Sequence, residues 1–219
     1  MKPSTFVFDE IKFNRPIENL LTPAPSPSKK LTPITDDLLG EARDIARPKA
    51  AVKCCQVEIM TLEAVKLDEV VFHSELLVSN LTGLKQAFAY IATEGTELAA
   101  WADSLSDAKK ILAQAIRYAA MKQAESLVEE YLLDIRQLPK IAAMCPGPLE
   151  QWPIQEQAHL FKLMAPLPEQ LGLVLSPKFW MEPDYSASGI FFQTATDYHN
   201  CRLCLMEPCP FRRYPGPQT

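Results

Sequence analysis

The chain has 219 residues, 47% of them hydrophobic and 22% charged, and a formal net charge of −5. That is the composition of a soluble globular protein with one core and attached tails. It excludes a nucleic-acid surface, which needs clustered Lys and Arg where this chain has only short pairs such as Lys29-Lys30 and Arg212-Arg213. No apolar run reaches the roughly 18 residues of a membrane span, and residues 1–15, with Asp9 and Glu10, do not read as a secretory signal. The expected localisation is cytoplasmic.

In chain order, residues 1–34 read as an arm and linker. Phe6, Phe8, Ile11 and Phe13 are apolar enough to dock on a body. Thr22-Pro-Ala-Pro-Ser-Pro-Ser removes backbone donors and favours extended chain. A body is expected over 35–198. Thr35 or Asp36 caps a first helix that Arg47-Pro48 ends. Strands follow over 50–62, with Val52, Val57 and Ile59 as strand positions, and over 70–72. Residues 74–81 form a short helix, 86–92 a buried strand, and 93–101 open another helix. The clearest element is a long alanine-rich helix over 106–137, with Ile111, Leu112, Ala115, Ile116, Ala119, Ala120, Leu127, Val128, Tyr131 and Leu132 at helical spacing. Pro139 ends it, 144–148 is a loop, 155–164 a short helix, and 172–175, 179–181 and 187–192 are strands. The fold class expected is α+β: a twisted, mainly antiparallel sheet packed against the long helix and shorter helices.

Residues 199–219 form a cysteine- and proline-rich tail. Six cysteines that cluster rather than spread point to metal or redox chemistry in a reducing compartment. Cys201, Cys204 and Cys209, preceded by His199 and joined by Cys145, are candidate metal ligands. Zinc, an iron–sulfur cluster and an unmetallated or disulfide-bonded tail all fit that spacing. Of Cys54-Cys55, one thiol belongs in the core, since strand neighbours face opposite ways. His73 and His159 stand alone. The chain has no phosphate loop, no metalloprotease helix and no nucleophile elbow.

Several segments, in order, resemble the activation domain of cobalamin-dependent methionine synthase and its short stand-alone relatives. They are Ala46-Arg-Pro-Lys-Ala, Ala89-Tyr-Ile-Ala-Thr-Glu-Gly-Thr-Glu-Leu, the alanine-rich helix, Trp152-Pro153 with Gln157, Leu171-Gly-Leu-Val-Leu-Ser-Pro-Lys-Phe-Trp-Met-Glu-Pro, and Ser186-Ala-Ser-Gly-Ile-Phe-Phe. The likeness spans roughly residues 36–213. It implies that fold, a corrinoid protein or methyltransferase as partner, and S-adenosylmethionine as ligand beside a corrinoid held by the partner. The function it implies is that of an accessory or reactivating protein supporting reductive methylation of cobalamin. A homodimer is compatible with it. A binding module of the same fold without the ligand site, and a small metal or iron–sulfur redox carrier, are the alternatives.

The resemblance implies ligand contacts at Ser186, Ser188 and Gly189, at Pro146 and Gly147 in the Pro-Gly turn, and at Tyr198, whose other reading is a half-buried surface tyrosine. Gly189 would let backbone approach a ligand. Glu94 and Glu97, at a strand-to-helix junction, would meet a ligand's amino group or sulfonium, or else compensate the helix N-terminus. The family's arginine ahead of the Pro-Gly turn falls at Ala143 here. Loss of a charge-assisted contact costs about 1.5–3 kcal/mol, unless Arg136 or Lys140 substitutes.

Overall fold

The computed structural model describes residues 4–17, 35–196 and 198–205. The arm opens with β1 (Thr5–Phe8). Helix α1 (Asp36–Ile45) begins where expected, because the Thr35 hydroxyl accepts the Leu38 N–H at 3.3 Å and Asp36 and Asp37 favour the positive end of the helix. Next come β2 (Lys49–Ile59), β3 (Ala64–Leu67), β4 (Val70–His73), α2 (Glu75–Leu81), β5 (Gln86–Thr93) and α3 (Thr96–Ser104). Strand β3 has no clear signal of its own: Ala64-Val-Lys-Leu is short, and only its pairing to both β2 and β4 makes it a strand.

The long helix is α4 (Asp107–Glu130). It does not run on to residue 137 as an α-helix, because Tyr131–Ile135 widens into a π turn. Of the expected apolar stripe, Ile116, Ala119, Ala120 and Val128 are buried, whereas Ile111 points to solvent.

After the turn come β6 (Ile141–Met144), a 3₁₀ turn (Ile154–Glu156), α5 (Gln157–Met164), α6 (Leu167–Gln170), β7 (Val174–Leu175), β8 (Met181–Glu182), β9 (Ser186–Gln193) and α7 (Asn200–Leu203). The main sheet has the order β4-β3-β2-β5-β9-β6, with β1 also on β2, and each of these pairs is antiparallel. Strands β7 and β8 form a separate hairpin. This is the α+β architecture expected.

Side-chain alternation gives the sheet two buried faces. Ala50, Val52, Phe88, Tyr90, Ala92 and Phe191 pack under Ala124, Val128 and Leu132. The alanines on both partners let α4 lie close to the strands. The opposite face, with Ala51, Cys55, Ala89, Ile91, Ile190 and Phe192, packs on α2, α5, Trp152 and the loops. Cys54 and Cys55 divide between the faces, and Cys55 is the fully buried one. A third cluster joins α1, α3 and the first half of α4 with Phe13 and Ile17 of the arm.

The described arm and tail therefore belong to the body. Strand β1 pairs with β2, Phe6 stacks on Tyr131 at 4.7 Å, and Cys204 is buried in the larger core. Among the described residues, no helix is long and apolar enough to cross a membrane.

Candidate functional site

Antiparallel register gathers the candidate ligand residues at one end of the sheet. Thr93 at the end of β5 pairs with Ser186 at the start of β9, and Ile91 pairs with Ser188. Strand β6 pairs with β9 through Met144 and Ile190, so the chain enters its Pro-Gly turn beside Gly189. Glu94, Glu97, Ser186, Ser188, Gly189 and the approach to Pro146 and Gly147 thus share one neighbourhood.

The turn reaches that end from a strand, not from a loop. Ala143 lies within β6 opposite Phe191 and packs toward the α4 face. Arg136 does not substitute for an arginine there: its guanidinium lies over Phe88, 5.5 Å from the ring centre and five strand positions from Thr93. Lys140 precedes β6, and its carbonyl accepts from Thr194 at 3.1 Å, beyond the far end of β9.

Glu94 is the electrostatic centre of this end. It is wholly buried and bound by Arg117 from α4, with Nε 2.7 Å from one carboxylate oxygen and Nη2 2.5 Å from the other. The guanidinium also lies over the Tyr185 ring at 4.7 Å. The backbones of Glu94 and Tyr185 are joined by a 3.0 Å bond. Burial holds the Glu94 carboxyl above its ordinary value, with Arg117 pulling against it, and burial likewise raises the Tyr185 hydroxyl. Glu97 is exposed, and the Thr96 hydroxyl lies 3.4 Å from its carboxylate. Sequence reasoning overlooked Arg117. The available signal was its place four residues after buried Ala113, which turns a charged residue inward.

The remaining candidates are engaged by the chain itself. The Ser186 hydroxyl donates to the Pro183 carbonyl at 2.7 Å and lies 3.0 Å from the Thr93 hydroxyl. Buried Ser188 accepts from the side chain of buried Gln157 at 2.6 Å. At Gly189 the packing of the sheet itself requires glycine: a Cβ there would collide with the Met144 carbonyl and meet the Tyr90 ring at 3.0 Å. Gly147 is exposed and its N–H donates to the Trp152 carbonyl at 2.8 Å, while Pro146 is buried. Trp152, Leu149 and Gln157 fill the ground between the turn and β9. Between the Pro-Gly turn and β9 the chain presents a packed wall.

Tyr198 lies away from Glu94. Its ring meets Phe192 at 5.6 Å and its hydroxyl donates to Asn200 at 2.7 Å. Asn200 in turn donates to the Cys145 carbonyl at 3.3 Å and lies 3.0 Å from the Cys145 sulfur. This brings the start of the tail, with His199 and Cys201, beside Cys145. Among the described residues, no group of three His, Cys, Asp or Glu side chains is placed to hold a metal ion. Cys209 lies outside the described residues. His159 is not alone: its Nδ1 is 3.2 Å from Glu156.

Cysteine chemistry in the core is suppressed. Burial pushes the Cys55 thiol up to about 12, and the thiolate is the reactive form. Iodoacetamide at pH 7 is expected to leave Cys55 unlabelled in folded protein and to label it after denaturation, as read by peptide mass spectrometry. Labelling of the folded chain at the denatured rate would contradict this.

The β7–β8 hairpin stands on the same end of the sheet. Gly172 at its base faces Thr96, and Tyr185 at its other base meets Glu94. Its tip is locked by bonds between Ser176 and Trp180, 2.8 Å between backbones and 3.1 Å from the Trp180 N–H to the Ser176 hydroxyl. Phe179 takes a φ of 64°, an uncommon conformation for a bulky residue. The product is a Trp180 side chain 65% exposed beside Val174, itself 62% exposed.

No family model matches the chain, and no curated protein matches its sequence. Among solved structures, the chain is similar to the crystal structure of the MetH reactivation domain bound to AdoHcy. The TM-score is 0.63 at 19% identity, covering 91% of this chain and 82% of the other. At that identity the likeness establishes a common fold.

Proposed function

We propose that this chain is an accessory protein of a corrinoid-dependent methyl-transfer system, docking on a corrinoid-carrying partner at the end of the sheet that bears the β7–β8 hairpin. The supporting observation is the fold shared with the MetH reactivation domain over nearly the whole chain. The hairpin adds a place for contact: interface centres are enriched in Trp and aromatic anchors, and Trp180 is held outward on a constrained turn. Because that neighbour carries AdoHcy, S-adenosylmethionine is the first small ligand to test. Reductive methylation of the partner's cobalt is the work such a protein would assist.

Size-exclusion chromatography of the full chain mixed with a purified corrinoid protein of a methyl-transfer system tests this, with cobalt followed by its visible absorption. Co-elution of cobalt with the chain is the expected result. Trp180→Ala is expected to weaken co-elution at least tenfold while leaving thermal stability within about 0.5 kcal/mol, as for an exposed side chain. Absence of co-elution for the unchanged chain would overturn the proposal.

A second reading is favoured by the packed wall at Glu94, Ser188 and Gly189: a docking module that keeps the fold and takes no part in reductive methylation. Docking without acceleration of cobalt methylation would select it. A metal or redox role for Cys145, Cys201, Cys204 and Cys209 is tested by metal analysis of anaerobically purified chain; stoichiometric iron would favour a redox carrier, and stoichiometric zinc a structural site.

A further inference from the structure

We infer that Arg117 closes the end of the sheet to S-adenosylmethionine by supplying, from within the chain, the cation that the Glu94 carboxylate would otherwise take from a ligand. The inference rests on reading this end as the ligand end of the fold, and it goes further in assigning one residue that decides which ligands enter.

A sulfonium or ammonium group is drawn to a buried carboxylate because the two charges neutralise each other in a poorly screened place. Glu94 is such a carboxylate, fully buried, but Arg117 meets both of its oxygens. The bidentate fork is the strongest form of this contact. The Tyr185 ring covers the guanidinium, and the Tyr185 N–H lies 3.4 Å from the carboxylate. A second cation arriving here finds a neutral pair, and it must displace a guanidinium tethered to α4 at high effective concentration.

Other contacts that would add affinity for S-adenosylmethionine are weakened for separate reasons, so that binding opened at Glu94 would be in the millimolar range. The ligand's carboxylate has Ala143 where the resemblance expects an arginine, and that side chain packs toward α4. On its Cβ side Gly189 is backed by the Met144 carbonyl and the Tyr90 ring. The Ser188 hydroxyl is held by Gln157. The Glu94 charge already matched by Arg117 and the lost attraction at Ala143 concern the two charged groups of the same amino-acid moiety.

Isothermal calorimetry of the full chain with S-adenosylmethionine decides the matter. No saturable heat up to millimolar ligand is expected for the unchanged chain; a micromolar dissociation constant would overturn the inference. The assignment to Arg117 is read from Arg117→Ala, in which the ligand's sulfonium or ammonium meets an unpaired carboxylate. Millimolar S-adenosylmethionine is expected to raise the melting temperature of this variant and leave that of the unchanged chain where it was. A folded Arg117→Ala that shows neither heat nor a shift would overturn the assignment. If Arg117→Ala does not fold, Arg117→Lys, which keeps the charge, is the companion: it is expected to show no binding, and saturable heat from it would overturn the inference. Binding to the unchanged chain would leave corrinoid docking untouched, since docking is read by co-elution of cobalt, so the two failures are separable.

Discussion

Replacing Arg117 with alanine is expected to destabilise the protein by about 3–5 kcal/mol, because removing one member of a buried ion pair strands the other. Glu94 has no access to solvent and no second cation among its bonded partners. The double variant Glu94→Gln with Arg117→Met is expected to recover most of the loss, since removal of both charges leaves nothing to desolvate.

Acidity separates this cause from lost packing. The Glu94 carboxyl sits above its ordinary 4.5 in the folded chain, and loss of Arg117 removes the main influence pulling it down. A group with a raised folded pKa binds its proton more tightly when folded. Its contribution is therefore full below the unfolded pKa and lost as pH rises through the folded value. The deficit of Arg117→Ala should accordingly narrow as pH falls from 7 toward the ordinary carboxylate range, because the stranded carboxyl, held above that range, takes up its proton on the way. Urea denaturation across that range reads it directly; a deficit below about 1 kcal/mol at pH 7, or one that widens on acidification, would show that the pair does not carry this weight.

Gly189→Ala is expected to cost about 3 kcal/mol, at the upper end of overpacking losses. The added methyl meets the Met144 carbonyl and the Tyr90 ring, and neither moves freely: Met144 is paired to Ile190 in the sheet, and the Tyr90 hydroxyl is tied to Glu125 at 2.9 Å. Where space exists, the same exchange works in the opposite direction. Gly40, inside α1, has open space around the position a methyl would take, with no atom within 4 Å, so Gly40→Ala is expected to stabilise by about 0.5–1 kcal/mol. Paired denaturation curves for the two variants test the contrast, and a stabilising Gly189→Ala would contradict the collision.

Local signals were legible wherever the chain states its own structure. Thr35 caps its helix because a hydroxyl acceptor belongs at a helix start, and it accepts the Leu38 N–H; Ser74 opens α2 in the same way. Gln86-Ala-Phe-Ala-Tyr-Ile-Ala is apolar throughout because β5 is central and covered on both faces. Strand β6 was not legible. Ile141-Ala-Ala-Met has little character of its own and becomes a strand because β9 offers its edge. The candidate site divided in the same way. Resemblance placed Glu94, Ser186, Ser188 and Gly189 together, and they are together; what each side chain touches came from partners remote in sequence. Arg117 lies 23 residues from Glu94, and Gln157 lies 31 residues from Ser188.

By itself the sequence determined the α+β class and most elements in their order, since these follow from periodicity, caps and an ordered set of motifs. Tertiary structure alone decided that the Glu94 carboxylate is already matched, that the Cβ side of Gly189 is filled, and that Trp180 is held outward. The physical reason is that a charge or a cavity is defined by what stands opposite it, and antiparallel pairing and helix packing choose those neighbours from distant parts of the chain.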